Sequence, residues 1–175
     1  MRMHVRQTKE ADASALPAIE RSAAQAFRSI PELAWIADGA VLSVEAHIGY
    51  ARTGSSWVAV DEADLPIGFL SAMPVGQDLH IWELAVQLDR QRNGVGRALV
   101  ETAMAYAYRL GLAAITLTTF RDVPWNEPFY TGFGFDILET DRMGERLADV
   151  LWREAEHGLP RERRCAMHLR IADIP

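Results

Sequence analysis

Apolar and polar positions change period several times along this chain, and each change marks an element. Residues 3–8 alternate, with Met3, Val5 and Gln7 on one side, and predict a first strand. From Asp12 the apolar spacing becomes three and four through Leu16, Ile19, Ala23 and Phe27. That predicts a helix capped by Asp12 and broken at Pro31. A second helix is expected over about 41–50. After the Gly54-Ser55-Ser56 turn, apolar runs at 57–60, 67–73 and 79–86 are separated by turn-rich stretches, and predict an antiparallel meander.

Residues 94–110 then place Leu99, Ala103, Met104, Ala107 and Leu110 on one helical face, with Gly111 where a left-handed end residue is wanted. A strand at 113–119 follows, then a loop with Asp122, Pro124 and Trp125 and a short helix at 126–131. Gly132-Phe133-Gly134-Phe135 makes a turn into a strand through Phe135, Ile137 and Leu138. A helix at 143–157 ends at Gly158 and Pro160, and alternation at 164–171 closes the chain as a strand. The order β-α-α-β-β-β-α-β-α-β-α-β predicts an α/β fold of six to seven strands. Its sheet is mixed and mostly antiparallel, with one central parallel β-α-β crossover and helices on both faces. Without repeats or a linker, residues 1–175 are expected to form a single domain.

Composition narrows the class. Hydrophobic residues make up 49% and charged residues 24%, as in ordinary globular proteins. No apolar run approaches the ~20 residues of a membrane span. The start Met1-Arg2-Met3-His4 lacks an apolar signal core, so a cytoplasmic setting is expected. Net charge is −6, and the one basic cluster is Arg161 to Arg164, which argues against nucleic-acid partners and for a cationic small molecule. Seventeen arginines against the single Lys9 suggest a GC-rich bacterial source. The lone Cys165 excludes an internal disulfide and alternates with Met167 and Leu169, the pattern of a buried strand position.

The chemistry concentrates at Gln91-Arg92-Asn93-Gly94-Val95-Gly96, between the strand at 79–86 and the helix opening near Arg97. A strand, a glycine turn and a helix N-terminus form a phosphate site, because the first helical amides lack intrahelical partners. The dinucleotide fingerprint fails at Leu99, where its third glycine belongs, and no acid ends the next strand. The P-loop fails at Arg97-Ala98, where Lys-Ser/Thr belongs.

The remaining pattern, Gln-x-x-Gly-x-Gly, resembles the pyrophosphate loop of the GNAT superfamily of acetyl-CoA-dependent N-acetyltransferases. Two further segments resemble that family: Glu83-Leu84-Ala85-Val86 before the turn, and Asn126 followed by Phe129-Tyr130 and the Gly-Phe turn. The element order is similar to the whole family fold. The resemblance implies acetyl-CoA as cosubstrate and no metal. It implies that Leu84, Ala85 and Val86 hold pantetheine, that the amides of Gln91 to Arg97 hold the pyrophosphate, and that Asn126 and Phe129 lie at the cofactor. The family usually has about two helical turns between this Asn and Tyr. Here they are four residues apart, which sets Tyr130 above Asn126 as an assignment.

Tyr130 is implied as general acid to the leaving thiolate; a phenol ordinarily titrates near ~10 and so carries its proton at neutral pH. The base is left open between Glu83, slightly preferred, and His80, which strand alternation puts on opposite faces. Trp125 is the tryptophan expected to line an acceptor pocket; the other four are expected in the core. Glu32, Asp38, Glu45 and His47 on the early helices read as a solvated face before they read as an amine site. The expectation is therefore transfer of acetyl to a primary amine of a small molecule, by direct attack in a ternary complex, with a homodimer left open by analogy. The alternative is a non-catalytic acyl-CoA-binding module.

Overall fold

A computed structural model describes residues 3–174. Met1 and Arg2 of the export reading lie outside the described residues. The elements in chain order are β1 (His4–Gln7), α1 (Leu16–Ala24), α2 (Val44–Thr53), β2 (Ser56–Val60), β3 (Pro66–Val75), β4 (Asp78–Val86), α3 (Val95–Arg109), β5 (Ala114–Phe120), α4 (Glu127–Thr131), β6 (Asp136–Leu138), α5 (Glu145–Glu156) and β7 (Arg164–Arg170). Seven strands hydrogen-bond in the order β1-β2-β3-β4-β5-β7-β6. The β4–β5 pair is parallel, while β1–β2, β2–β3, β5–β7 and β6–β7 are antiparallel. The mixed sheet with its β-α-β crossover is the architecture expected. The described residues divide into two compact units, 3–73 with Trp82–Tyr106 and Pro74–Ile81 with 107–174.

In the first unit, α1 turns Leu16 and Ile19 inward against Val58, Val60, Phe69 and Ala85, with Ala23 beside them. Deleting one such buried leucine side chain costs about 2–5 kcal/mol in comparable cores. A run of hydroxyls links neighbouring segments: Thr8 Oγ1 lies 2.9 Å from Ser56 Oγ, which lies 3.4 Å from Ser71 Oγ. Trp57, buried on β2, meets the Tyr106 ring edge-on.

The early helices differ from expectation. Asp12 does not cap α1, which starts at Leu16 after an uncapped Ala15. Its carboxylate instead takes two hydrogen bonds from the Arg6 guanidinium and one from the Lys9 amide, closing a short 3-10 turn at Glu10–Asp12. The ion pair won because Arg6, on β1, supplies a bidentate charged donor that a helix amide cannot match. The α1 period then decays into 3-10 turns at Gln25–Ser29 and Pro31–Asp38, so Pro31 starts a turn as well as ending one. The second helix begins three residues late, at Val44, because Ser43 accepts the Ala46 amide as its cap.

In the second unit, α5 packs Leu147 and Leu151 on Leu138 and Ala166, with Met143 alongside. The parallel register runs from Asp78↔Ala114 to Ile81↔Leu117, and β5 pairs with β7 along its full length. Cys165 is buried opposite Thr119, as its alternation suggested, and burial pushes its thiol up to about 11. Phe135 falls just outside β6 but is buried. Trp35, Trp82 and Trp152 are exposed rather than core; on α5, Leu147 and Leu151 take the inward face and Trp152 the outward one.

Candidate functional site

Within the first unit, the end of β4, the following turn and the start of α3 form one continuous device. Gln91 Nε2 donates to the Val86 carbonyl at 3.1 Å, so this side chain ties the turn back to the strand end. Sequence reasoning gave Gln91 to the ligand; here its amide braces the loop that would hold one. Arg92 and Gly94 both have positive φ, 59° and 81°. A non-glycine residue in that region is strained, and such residues gather at binding sites. Left-handed residues alternating along a turn point successive N–H groups toward one spot and make an anion cradle.

At the start of α3 the Ala98 amide donates to the Gly94 carbonyl at 3.0 Å. The amides of Val95, Gly96 and Arg97 precede it and carry the helix's positive end. A Cβ built on Gly94 meets no atom within 4 Å, so the space before the loop is open at that point. Asn93 lies on the exposed side, its Nδ2 3.5 Å from the Arg90 carbonyl. Arg97 forms an i,i+4 pair with Glu101 at 3.5 Å on the helix surface. These residues fit a diphosphate.

Upstream, Ala85 and Val86 are buried and Leu84 is half-buried. Gly68 on β3 lets this strand end come close: a Cβ there would sit 3.1 Å from the Ala85 carbonyl oxygen and 3.1 Å from Val95 Cγ1. Glu83 is half-buried, with Oε1 accepting the Leu84 amide at 3.2 Å. Burial, and then the Glu83 carboxylate, push the Tyr50 phenol on α2 above its ordinary range. The Glu83 charge thus reaches the phenol of α2, a relation that strand periodicity could not reveal.

Within the second unit, Asn126 precedes α4 with φ −113° and ψ −106°, and Pro128 sits in the first turn, where proline is tolerated. Asn126 Oδ1 is buried and has no hydrogen-bond partner among the described residues. A buried acceptor left without a donor is costly, and a ligand N–H or O–H would relieve it. The Tyr130 carbonyl accepts the amides of Phe133 and Phe135 at 2.9 and 3.3 Å, which folds the Gly-Phe turn around this residue. Its ring is 7% exposed and meets Phe129 and Phe135 edge-on. Trp125 is half-buried in the loop before Asn126.

His80 is wholly buried, and its Nδ1 lies 2.9 Å from Thr116 Oγ1. The same hydroxyl accepts from Arg146 at 3.0 Å, and that guanidinium lies 3.4 Å from Asp78. Burial, helped by the Arg146 charge, lowers the imidazole to about 4. His80 is therefore neutral at neutral pH and a weak proton acceptor.

Of the acids on the early helices, Asp38 is taken by Arg28 at 2.7 Å, and Glu32 and Glu45 are exposed. His47 turns inward instead, beside Glu20 of α1, a residue the sequence reading did not single out. Its only signal was an acid one position after the buried Ile19.

The profile of the acetyltransferase (GNAT) family matches residues 22–135. The chain belongs to the GNAT acetyltransferase family. Among relatives, N-acetyltransferase 8F1 of Rattus norvegicus is 27% identical over 106 residues, covering 57% of this chain and 45% of that protein. The chain spans less than half the length of the curated relatives it matches. Among solved structures, the PaiA N-acetyltransferase of Thermoplasma acidophilum, in complex with coenzyme A, superposes with a TM-score of 0.70 at 16% identity, over 97% of this chain and 99% of that one. The ribosomal-protein-S18-alanine N-acetyltransferase of Escherichia coli superposes at 0.67 and 17% identity, over 97% and 94%. At these identities the superpositions show a shared fold.

Proposed function

We propose that the chain is one acetyl-CoA-dependent N-acetyltransferase domain acting on a primary amine of a small molecule. The observation that carries this reading is the turn after β4, where left-handed Arg92 and Gly94 lead into the first turn of α3. A diphosphate held there fits coenzyme A. Pantetheine amides then pair with the backbone of Leu84, Ala85 and Val86, which lies past the last parallel pair, Ile81↔Leu117. The buried Asn126 Oδ1, which has no donor among the described residues, supports a second cofactor contact, and Phe129 is assigned to the cofactor with it.

In this reading Glu83 takes the proton from the acceptor ammonium, directly or through one water. The free amine attacks the thioester carbonyl, whose oxygen is polarised by the Val86 N–H. The C–S bond breaks and Tyr130 gives its phenolic proton to the departing thiolate. His80 is the weaker base candidate, because its buried ring is held neutral and engaged with Thr116. Its role is to fix the position of β4 against β5. A net charge of −6 favours a cationic acceptor.

The test is a thiol-release assay with acetyl-CoA and a panel of primary amines, on wild type and Tyr130→Phe. General-acid loss predicts a fall in kcat of about a hundredfold or more, with the KM for acetyl-CoA little moved. Undiminished turnover in Tyr130→Phe would remove it from the mechanism. Tight acetyl-CoA binding without turnover on any amine would leave an acyl-CoA-binding module.

A further inference from the structure

We infer that Tyr50 binds the acceptor together with Glu83: its phenol oxygen accepts one N–H of the amine and holds the nitrogen in place while the carboxylate takes a proton from it. The inference rests on the transferase reading of Glu83. Every residue it uses lies in the first unit.

Strand and helix periods bring the two side chains to one face of the sheet. Phe69 on β3 and Ala85 on β4 belong to the cluster that α1 covers with Leu16 and Ile19. Glu83 stands two residues before Ala85 and so falls on the same face of β4. α2 lies over that face as well, because the His47 ring stands edge-on to Phe69 with centroids 4.9 Å apart. Tyr50 follows His47 by three residues and leaves the helix on the same side, one turn further along. The phenol and the carboxylate thus approach one side of the sheet from two different elements.

Charge and exposure agree with this placement. Burial, and then the Glu83 charge, raise the Tyr50 phenol, so it keeps its proton at neutral pH and its oxygen accepts through a lone pair. Tyr50 and Glu83 are each half-buried, unlike the enclosed His47, so a molecule from solvent can reach both. Glu83 Oε1 accepts the Leu84 amide at 3.2 Å. A carboxylate takes several donors at once, so this bond leaves capacity for an amine.

The chemistry gives the phenol a purpose that the base cannot serve. An ammonium has three N–H donors, and the carboxylate attracts it while both are charged. When the proton moves from nitrogen to a Glu83 oxygen, both charges vanish and most of that attraction goes with them. The neutral primary amine keeps two N–H groups, and the Tyr50 oxygen accepts one of them before and after the transfer. The nitrogen is therefore still held when it attacks the thioester, and the amide product keeps the one N–H that this bond needs.

The test uses butylamine, benzylamine and phenethylamine as probes of wild type, Tyr50→Phe, Glu83→Gln and the double variant. Amine binding is measured by calorimetry with coenzyme A present, and acetyl transfer by thiol release. Tyr50→Phe removes one oxygen and keeps the ring, so the melting temperature should hold. The proposal predicts amine affinity and kcat/KM for the amine lowered about tenfold in Tyr50→Phe, with the KM for acetyl-CoA unmoved. In the Glu83→Gln background the further loss of kcat/KM should be smaller, since the two groups act on one nitrogen. Unchanged amine affinity and kcat/KM in Tyr50→Phe overturn the proposal, and so does a loss that follows the melting temperature or is the same in both backgrounds. Amine binding that depends on Tyr50 without acetyl transfer upholds the contact and refutes the transferase reading. Transfer that depends on Glu83 and not on Tyr50 refutes the contact alone, and neither binding nor transfer by wild type refutes both.

Discussion

Gly68→Ala tests whether the strand end at Ala85 and Val86 is held as tightly as its geometry requires. The added methyl would stand 3.1 Å from the Ala85 carbonyl oxygen, 3.1 Å from Val95 Cγ1 and 3.2 Å from Val86 Cγ2. Comfortable carbon contacts lie at about 3.5–4.0 Å, so neighbours on two segments must retreat by roughly 0.3–0.9 Å. Overpacking of this kind costs about 1–3 kcal/mol. Replacing glycine lowers the entropy of the unfolded chain and returns about 0.4–1 kcal/mol. The net expectation is a loss of about 1–2 kcal/mol, read as a lower denaturant midpoint with an unchanged slope. The atoms forced to move belong to the strand end and the first residue of α3, so acetyl-CoA affinity should weaken several-fold as well. An unchanged or higher midpoint would refute the packing argument. A lowered midpoint with undisturbed acetyl-CoA affinity would refute the assignment of pantetheine to this backbone.

Two further predictions concern pH. His80 titrates at about 4 in the folded protein, below the ~6.5 of an unfolded histidine. The unfolded chain therefore binds the extra proton between these values, so stability is full above ~6.5 and falls by on the order of 3 kcal/mol as pH drops toward 4. Ring NMR shifts should show His80 neutral at pH 5, whereas a midpoint near 6.5 would contradict its burial. For Asp12, burial alone would raise the carboxyl, but the Arg6 and Lys9-amide bonds outweigh it and hold it below its ordinary value. Its contribution is present above the unfolded pKa of ~3.9 and is lost as pH falls through the lower folded value. Asp12→Asn should cost about 1–3 kcal/mol at pH 7 and flatten the acid limb; an unaltered acid limb would remove Asp12 as a contributor.

Local patterns revealed what depends on local physics. Leu99, Ala103 and Ala107 of the α3 face and the end at Gly111 were readable because apolar spacing and φ preference are written within one helix, whereas Leu110 falls past the helix end and is exposed. The β4–turn–α3 geometry was readable too, since its glycine requirement spans few residues. Contacts between distant segments were not readable. Asp12 looks like a cap until Arg6 turns toward it from β1. His80 looks like a base until Thr116 and Arg146 enclose it. His47 looks solvated until α2 is seen to turn it toward Glu20 and Phe69. The exposed Trp35, Trp82 and Trp152 follow the same rule, since size and hydrophobicity do not say which face an element buries.

In the proposed function, the turn at residues 91–97 holds the diphosphate of acetyl-CoA. Calorimetric titration of acetyl-CoA into wild type and Gly96→Glu tests it most directly. A carboxylate in the first turn of α3 suits the helix dipole and so should leave the fold intact, while repelling a bound diphosphate. Micromolar binding is expected in wild type, with a loss of about a hundredfold or more in Gly96→Glu and the melting temperature preserved. Equal binding by both proteins, or no binding by wild type, would contradict it.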